Sequence, residues 1–100
     1  MDIVLASELF SRWLHALQDL RAKAGILARL RRAELGNFGD CKPVGEGVSE
    51  MRIAVGQGYR VYFMQEGRCL YLLLVGGNKS SQTRDTAKAK ALAQERRQGR

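Results

Sequence analysis

Apolar positions change period about halfway along the chain. From Phe10 onward, Phe10, Trp13, Leu14, Leu17 and Leu20 recur three and four residues apart, which predicts an amphipathic helix from Ser7 to about Asp19, with Ser7 as its N-cap. A second helix is expected from about Lys23 to Leu35. Ile26, Leu27, Leu30 and Ala33 form its apolar stripe, Arg29, Arg31 and Arg32 line much of the rest, and Gly36 supplies its stop. The gap between the two is short, so they should form an antiparallel helical hairpin. Ahead of them, Ile3 to Leu5 reads as a short first strand.

Past Asn37 the pattern changes. The stretch from Asn37 to Gly47 reads as a loop with one short strand around Lys42 to Val44. Strands then follow at roughly Val48–Val55, Tyr59–Gln65 and Arg68–Val75. Met51, Ile53 and Val55 alternate with Glu50, Arg52 and Ala54, the two-residue period of a half-buried strand. The run CLYLLLV is apolar on both faces, which predicts a central strand covered on both sides. After Gly76 and Gly77, Ser80 or Ser81 is placed to cap a last helix through about Arg97. If Gly56-Gln57-Gly58 is a three-residue hairpin turn, Val55 faces Tyr59, Ile53 faces Val61 and Met51 faces Phe63 on the core side. Arg52 then faces Tyr62 and Ala54 faces Arg60 on the other side. The two arginines become diagonal neighbours roughly 7–8 Å apart at the backbone.

Composition narrows the function classes. One hundred residues make one domain, 1–100, large enough to bury a core without staples. Seventeen basic residues against ten acidic give a formal charge of +7, spread along the chain, which points to an anionic partner or to solubility alone. The longest apolar run, Leu70 to Val75, is too short to span a bilayer, and the N-terminus lacks the basic segment of a signal peptide. A cytoplasmic protein is therefore expected. Two distant cysteines and one histidine form no metal-binding pattern, so no metal or cofactor is expected, and Cys69 reads as a buried thiol in a strand.

The candidate chemistry lies in the strands. Arg52 and Arg60 on one face suit a phosphate, to which guanidinium groups donate in a bidentate, non-titrating fork. The bland reading is a solvated face with Glu50 paired to Arg52. Lys79, between the central strand and the last helix, adds a further cation, while VGGNKSS lacks the spacing of a nucleotide-binding phosphate loop. Lys42 lies in the loop beside the same sheet, and Tyr62 either stacks a base or packs beside Arg52. Glu50 is the carboxylate available as a base, acting alone or by keeping Arg52 oriented. His15 reads as a helix-surface residue; Gln82 and Asp85 on the last helix either approach the site or serve as capping and solvated positions, which explain them adequately.

In order and spacing, WLHALQDLRAKAGILARLRR, GNFGDCKPVGEGVSEMRI, GYRVYF and LLLVGGNKSSQTRD resemble the RelE/ParE-type toxins of bacterial type II toxin–antitoxin modules. More narrowly they resemble the HigB-like addiction module killer proteins, over nearly the whole chain. The resemblance implies an α+β, RelE-like fold: a small antiparallel sheet with two N-terminal helices packed on it and a C-terminal helix beside the active face. It implies a cognate antitoxin, usually of helix-turn-helix type, in a hetero-oligomer. RelE-like members are endoribonucleases that cut mRNA on the ribosome and arrest growth by inhibiting translation, whereas ParE-like members poison DNA gyrase. By position, Arg52, Arg60 and Lys79 match basic residues of the RelE-like cleavage site, and Lys42 lies near a basic position used by some relatives. The last helix carries no histidine or tyrosine to match the general acid or stacking residue that several of those nucleases place there. A metal-independent cleavage giving a 2′,3′-cyclic phosphate is the expected reaction.

Overall fold

A computed structural model describes residues 1–99. Its elements are β1 (Ile3–Ala6), α1 (Glu8–Ala16), α2 (Leu20–Glu34), β2 (Cys41–Gly45), β3 (Val48–Ile53), β4 (Tyr59–Gly67), β5 (Leu70–Asn78), a 3-10 turn (Lys79–Ser81) and α3 (Gln82–Arg97). Ser7 caps α1 as expected: its hydroxyl accepts the Phe10 N–H at 3.0 Å and donates to the Leu74 carbonyl at 2.8 Å. The border between the helices differs from the periodicity estimate. α1 ends at Ala16 and α2 begins at Leu20, because the Asp19 carboxylate accepts the Ala22 N–H at 3.1 Å and starts the second helix there.

The strands form one α+β sheet in the order β1-β5-β4-β3-β2. Four of the strands are antiparallel in sequence, and β1 lies parallel to β5 at the edge, so the sheet is mixed. The β3–β4 register differs from the three-residue turn. Ile53 faces Tyr59 across a turn closed by Val55 N–H to Ile53 O (3.0 Å) and Gly58 N–H to Val55 O (2.9 Å). Gly56 and Gly58 take positive φ of 57° and 81° in that turn, which glycine adopts without a Cβ penalty. The pairing therefore moves by two residues. Because side chains alternate with period two, every residue keeps its expected face.

One face of the sheet packs on α1 and α2. Met51, Ile53, Val61, Phe63 and Leu73 meet Phe10, Ala22, Ile26 and Ala33 there. The other face packs on α3, where Val48, Tyr62, Met64, Leu72 and Leu74 meet the fully buried Ala89 and Ala93. Alanines let that helix lie close to the sheet, with Leu92 packed beside them and most of its other positions polar. The central strand runs further than expected and contains both glycines of its GG pair. A Cβ at Gly76 would overlap the Trp13 ring on one face, and a Cβ at Gly77 would overlap the Asp85 carboxylate on the other.

The turn after β5 is capped by Asn78, whose side chain accepts the Ser80 N–H at 2.9 Å. Ser81 precedes α3 without capping it; its hydroxyl accepts the Asn78 N–H at 3.3 Å and donates to Asp85. Cys69 is not buried. It is exposed in the turn between β4 and β5, because the pairing of Gly67 with Leu70 leaves residues 68 and 69 outside the ladder. Among the described residues no helix is long and apolar enough to cross a membrane.

Candidate functional site

Two rungs of the sheet carry the charged residues on the α3 side. In the first, Lys42 of β2 pairs with Glu50 of β3, which pairs with Tyr62 of β4. In the second, Arg52 of β3 faces Arg60 of β4, and Arg60 faces Gly77 of β5. The arginines are thus directly opposite rather than diagonal. Like charges in that position repel unless each has its own counter-charge. Each does. Arg52 Nη2 donates to Asp40 Oδ1 at 2.8 Å, and Arg60 Nε lies 3.4 Å from Glu50 Oε2.

Glu50 therefore does not partner Arg52; it holds Arg60. Its side chain is fully buried and that of Arg60 is 14% exposed, which makes this the buried ion pair of the site. Oε2 also accepts from the Tyr62 hydroxyl and from Gln82 Nε2, each at 3.1 Å. Oε1 is buried with no hydrogen-bond partner. A carboxylate so enclosed is an anchor for Arg60 rather than an exposed base. Arg52 is different: it is largely exposed, and its bond to Asp40 raises its already high pKa. Arg29 positions this corner by donating to the Arg52 carbonyl at 2.6 Å and to the Phe38 carbonyl at 3.0 Å.

Tyr62 departs from the stacking role. Its ring is fully buried beneath α3, so no base can lie on it, and only its hydroxyl reaches the site through Glu50. Burial pushes its pKa up to about 12; the nearby Glu50 and Asp85 carboxylates add to the rise, and a Thr86 hydrogen bond works against it. Lys79 is exposed in the 3-10 turn, two residues beyond Gly77, and its backbone N–H donates to the Gly58 carbonyl at 3.0 Å. That bond ties the end of β5 to the β3–β4 turn at the open end of the arginine rung. Lys42 is exposed and lines a cleft of about 470 Å³ with Val44, Glu50, Gln82, Thr86 and Lys90.

Several site residues have no clear signal in the sequence. Asp40 lies in a glycine-rich loop twelve positions before Arg52, and only the β2–β3 hairpin brings them together. Gln82, Thr86 and Lys90 fall on one side of α3, but nothing in their spacing says which strand that side meets. His15 is exposed on α1, away from these rungs. A larger groove of about 990 Å³ lies on the far side of the sheet, between α1, α2 and β1, and is lined mainly by apolar residues such as Phe10, Leu14, Leu27 and Leu30. It holds none of the paired arginine chemistry.

Arg52 and Arg60 thus share one face of the sheet, Arg52 exposed beside Asp40 and Arg60 largely buried beside Glu50, while Lys42 and Lys79 are exposed on neighbouring segments. An uncharacterized protein of Haemophilus influenzae is 54% identical over 86 residues, covering 86% of this chain and 87% of its own. The family model of the phage-derived Gp49-like proteins matches residues 12–98. That match takes in the second half of α1, all of α2, the four antiparallel strands and α3, and with it the chain belongs to the phage-derived Gp49-like family (DUF891), a toxin-type family of toxin–antitoxin modules related to RelE and HigB.

Proposed function

We propose that this chain is the toxin of a type II module and acts as a ribosome-dependent mRNA endonuclease. The observation that carries the reading is the cross-strand Arg52–Arg60 rung, with Asp40 beside the exposed Arg52 and Glu50 beside the largely buried Arg60. In the reaction, the RNA 2′-oxygen attacks the adjacent phosphorus and loses its proton. The bond to the 5′-oxygen breaks, that oxygen takes a proton, and a 2′,3′-cyclic phosphate and a 5′-hydroxyl result. Negative charge grows on the phosphate oxygens in the transition state. Pre-placed cations stabilise it without reorganising, which is the largest contribution such a site makes.

Arg60 is the more buried of the two donors, with the Glu50 carboxylate 3.4 Å from its Nε. Arg52 exchanges its bond to Asp40 for one to the phosphate. Lys79 holds a neighbouring phosphate or supports the leaving oxygen, and Lys42 contacts the RNA backbone. The ribosome supplies alignment of the attacking oxygen, which lets a site without a histidine suffice. An antitoxin is the partner of such a module. Poisoning of DNA gyrase is the other activity within the wider resemblance, and the same preparation distinguishes the two.

Purified protein is incubated with programmed ribosomes and end-labelled mRNA, and in parallel with gyrase and relaxed plasmid. Cleavage by wild type, with losses of roughly 10²-fold or more in Arg52→Ala and Arg60→Ala, is the expected result. Wild type that cuts no better than Arg60→Ala overturns the nuclease reading, and arrest of supercoiling in the same preparation would replace it.

A further inference from the structure

Two carboxylates are buried among the described residues, those of Glu50 and Asp85. Glu50 is answered by Arg60. Asp85 stands in no ion pair among the described residues, and its donor is the hydroxyl of Ser81, which bonds Oδ2. A buried carboxylate held by one neutral donor carries a desolvation cost that no opposite charge offsets. Nor does it cap α3: it lies in the first turn of that helix, yet its hydrogen bond is to a side chain and not to a backbone N–H. Packing and capping leave such a group unexplained, and a carboxylate of this kind beside a cationic site is a candidate for chemistry.

A glycine fixes where it sits. Arg60 faces Gly77 across the β4–β5 ladder, so a side chain at 77 would project on the same side of the sheet as Arg60. The room for that side chain is taken by the Asp85 carboxylate and the Ser81 hydroxyl, which a Cβ at Gly77 would meet. The rung therefore reads Arg52, Arg60 and then Asp85, three charged groups supplied by β3, β4 and α3. Directly opposed Cβ positions lie about 4.5–5.5 Å apart, which places the Asp85 carboxylate beside whatever Arg60 grips. Asp85 keeps 8% exposure. The buried polar atoms without a partner among the described residues are Glu50 Oε1 and Arg60 Nε, so Asp85 Oδ1, which accepts no hydrogen bond there, is not sealed from solvent. Ser81, itself held by the Asn78 N–H at 3.3 Å, fixes one oxygen and leaves the other free.

We propose that Asp85 is the general base of the RNA-cleaving reaction and that Ser81 is the residue that positions it. The inference rests on the nuclease reading and supplies the proton acceptor that Glu50, enclosed by Arg60, Tyr62 and Gln82, does not provide. The attacking 2′-oxygen stands about 3–3.5 Å from the phosphorus when ready to react, so its base must lie next to the group that grips the phosphate. Asp85 takes the 2′-hydroxyl proton as the 2′-oxygen bonds to phosphorus. The bond from phosphorus to the 5′-oxygen breaks, and that oxygen takes a proton from water. The hydroxide so formed takes the proton from Asp85, which returns the carboxylate to its starting state.

The test is single-turnover cleavage of end-labelled mRNA on programmed ribosomes by wild type, Asp85→Asn and Asp85→Ala, with a thermal melt of each. Asn keeps the size of the side chain and an oxygen for the Ser81 bond but takes up no proton. Expected for Asp85→Asn is a rate loss of roughly 10²-fold or more, with Tm and affinity for an uncleavable 2′-deoxy mRNA close to wild type. The same loss should persist on mRNA whose 5′-oxygen at the cleavage point is replaced by sulfur, because a thiolate leaves without a proton and a missing base still slows attack. Formate should restore part of the cleavage to Asp85→Ala and none to Arg60→Ala. Asp85→Asn that cuts within about threefold of wild type overturns the assignment and leaves the nuclease standing. So does a loss that vanishes on the sulfur substrate, or one confined to mRNA affinity. If Asp85→Asn fails to fold, formate decides: rescue of Asp85→Ala supports the base, and no rescue overturns it. Wild type that leaves mRNA intact removes the nuclease reading and the base together.

Discussion

Removing the Glu50 carboxylate is the sharpest perturbation of this molecule. Glu50→Ala takes away the partner of Arg60 and two hydrogen bonds, from Tyr62 and Gln82, at a fully buried position. Breaking a buried ion pair from one side costs roughly 3–5 kcal/mol, mostly because the remaining charge is stranded. Two features lower that here. The Arg60 side chain keeps 14% exposure and can turn its charge toward water. Oε1 is already without a partner, so deleting it regains part of the roughly 1–3 kcal/mol that such an orphan costs. A net loss of about 2–3 kcal/mol remains. For a domain of this size each kcal/mol moves Tm by roughly 4–8 °C, so a fall of about 10–20 °C is expected.

The assay is urea unfolding of wild type, Glu50→Ala, Arg60→Met and the double variant. If the pair is the anchor, the double variant loses less than the two single losses added together, by at least about 1 kcal/mol. A Glu50→Ala protein within about 0.5 kcal/mol of wild type would refute the reasoning, since exposed positions behave that way. So would additive losses, which would mean that Glu50 and Arg60 act independently.

Other consequences follow from the same packing. Burial raises the Tyr62 pKa from its ordinary 10.0 to about 12, so its contribution is fully present below pH 10 and is lost as pH rises toward 12. Absorbance titration of the phenolate, compared between wild type and Tyr62→Phe, should show this late step, and a Tyr62 titrating near 10 would contradict the burial. Burial raises the Cys41 thiol pKa, with Arg29 partly opposing, while Cys69 is exposed. Iodoacetamide should therefore label Cys69 first, as read by peptide mass after limited reaction. Gly77→Ala should destabilise by roughly 1–3 kcal/mol, because the new methyl meets the Asp85 carboxylate; the double variant with Asp85→Ala should recover part of that in thermal melts.

Much of this architecture was legible from local pattern. The stripe at Ile26, Leu30 and Ala33, the Ser7 cap and the alternation through Met51 and Ile53 depend on neighbours a few residues away, and all appear where expected. Placement of Arg52 and Arg60 on one face was legible too, since a two-residue error in the turn leaves the alternation intact. The register itself was not, because a turn's length is set by how its backbone hydrogen bonds close. β1 was legible as a short strand from Ile3, but its parallel pairing with β5, more than sixty positions away, was not.

What only the tertiary structure decided is which charge answers which. Asp40 rather than Glu50 partners Arg52, Glu50 descends beneath α3 to hold Arg60, and Tyr62 is covered instead of stacking a base. Those assignments depend on where a helix of alanines settles on the sheet and how deeply it screens each rung from water. Composition and periodicity determined that this chain would carry cations on one side of a small sheet flanked by helices. Pairing and burial are properties of distance in space, and the chain acquires them only on folding.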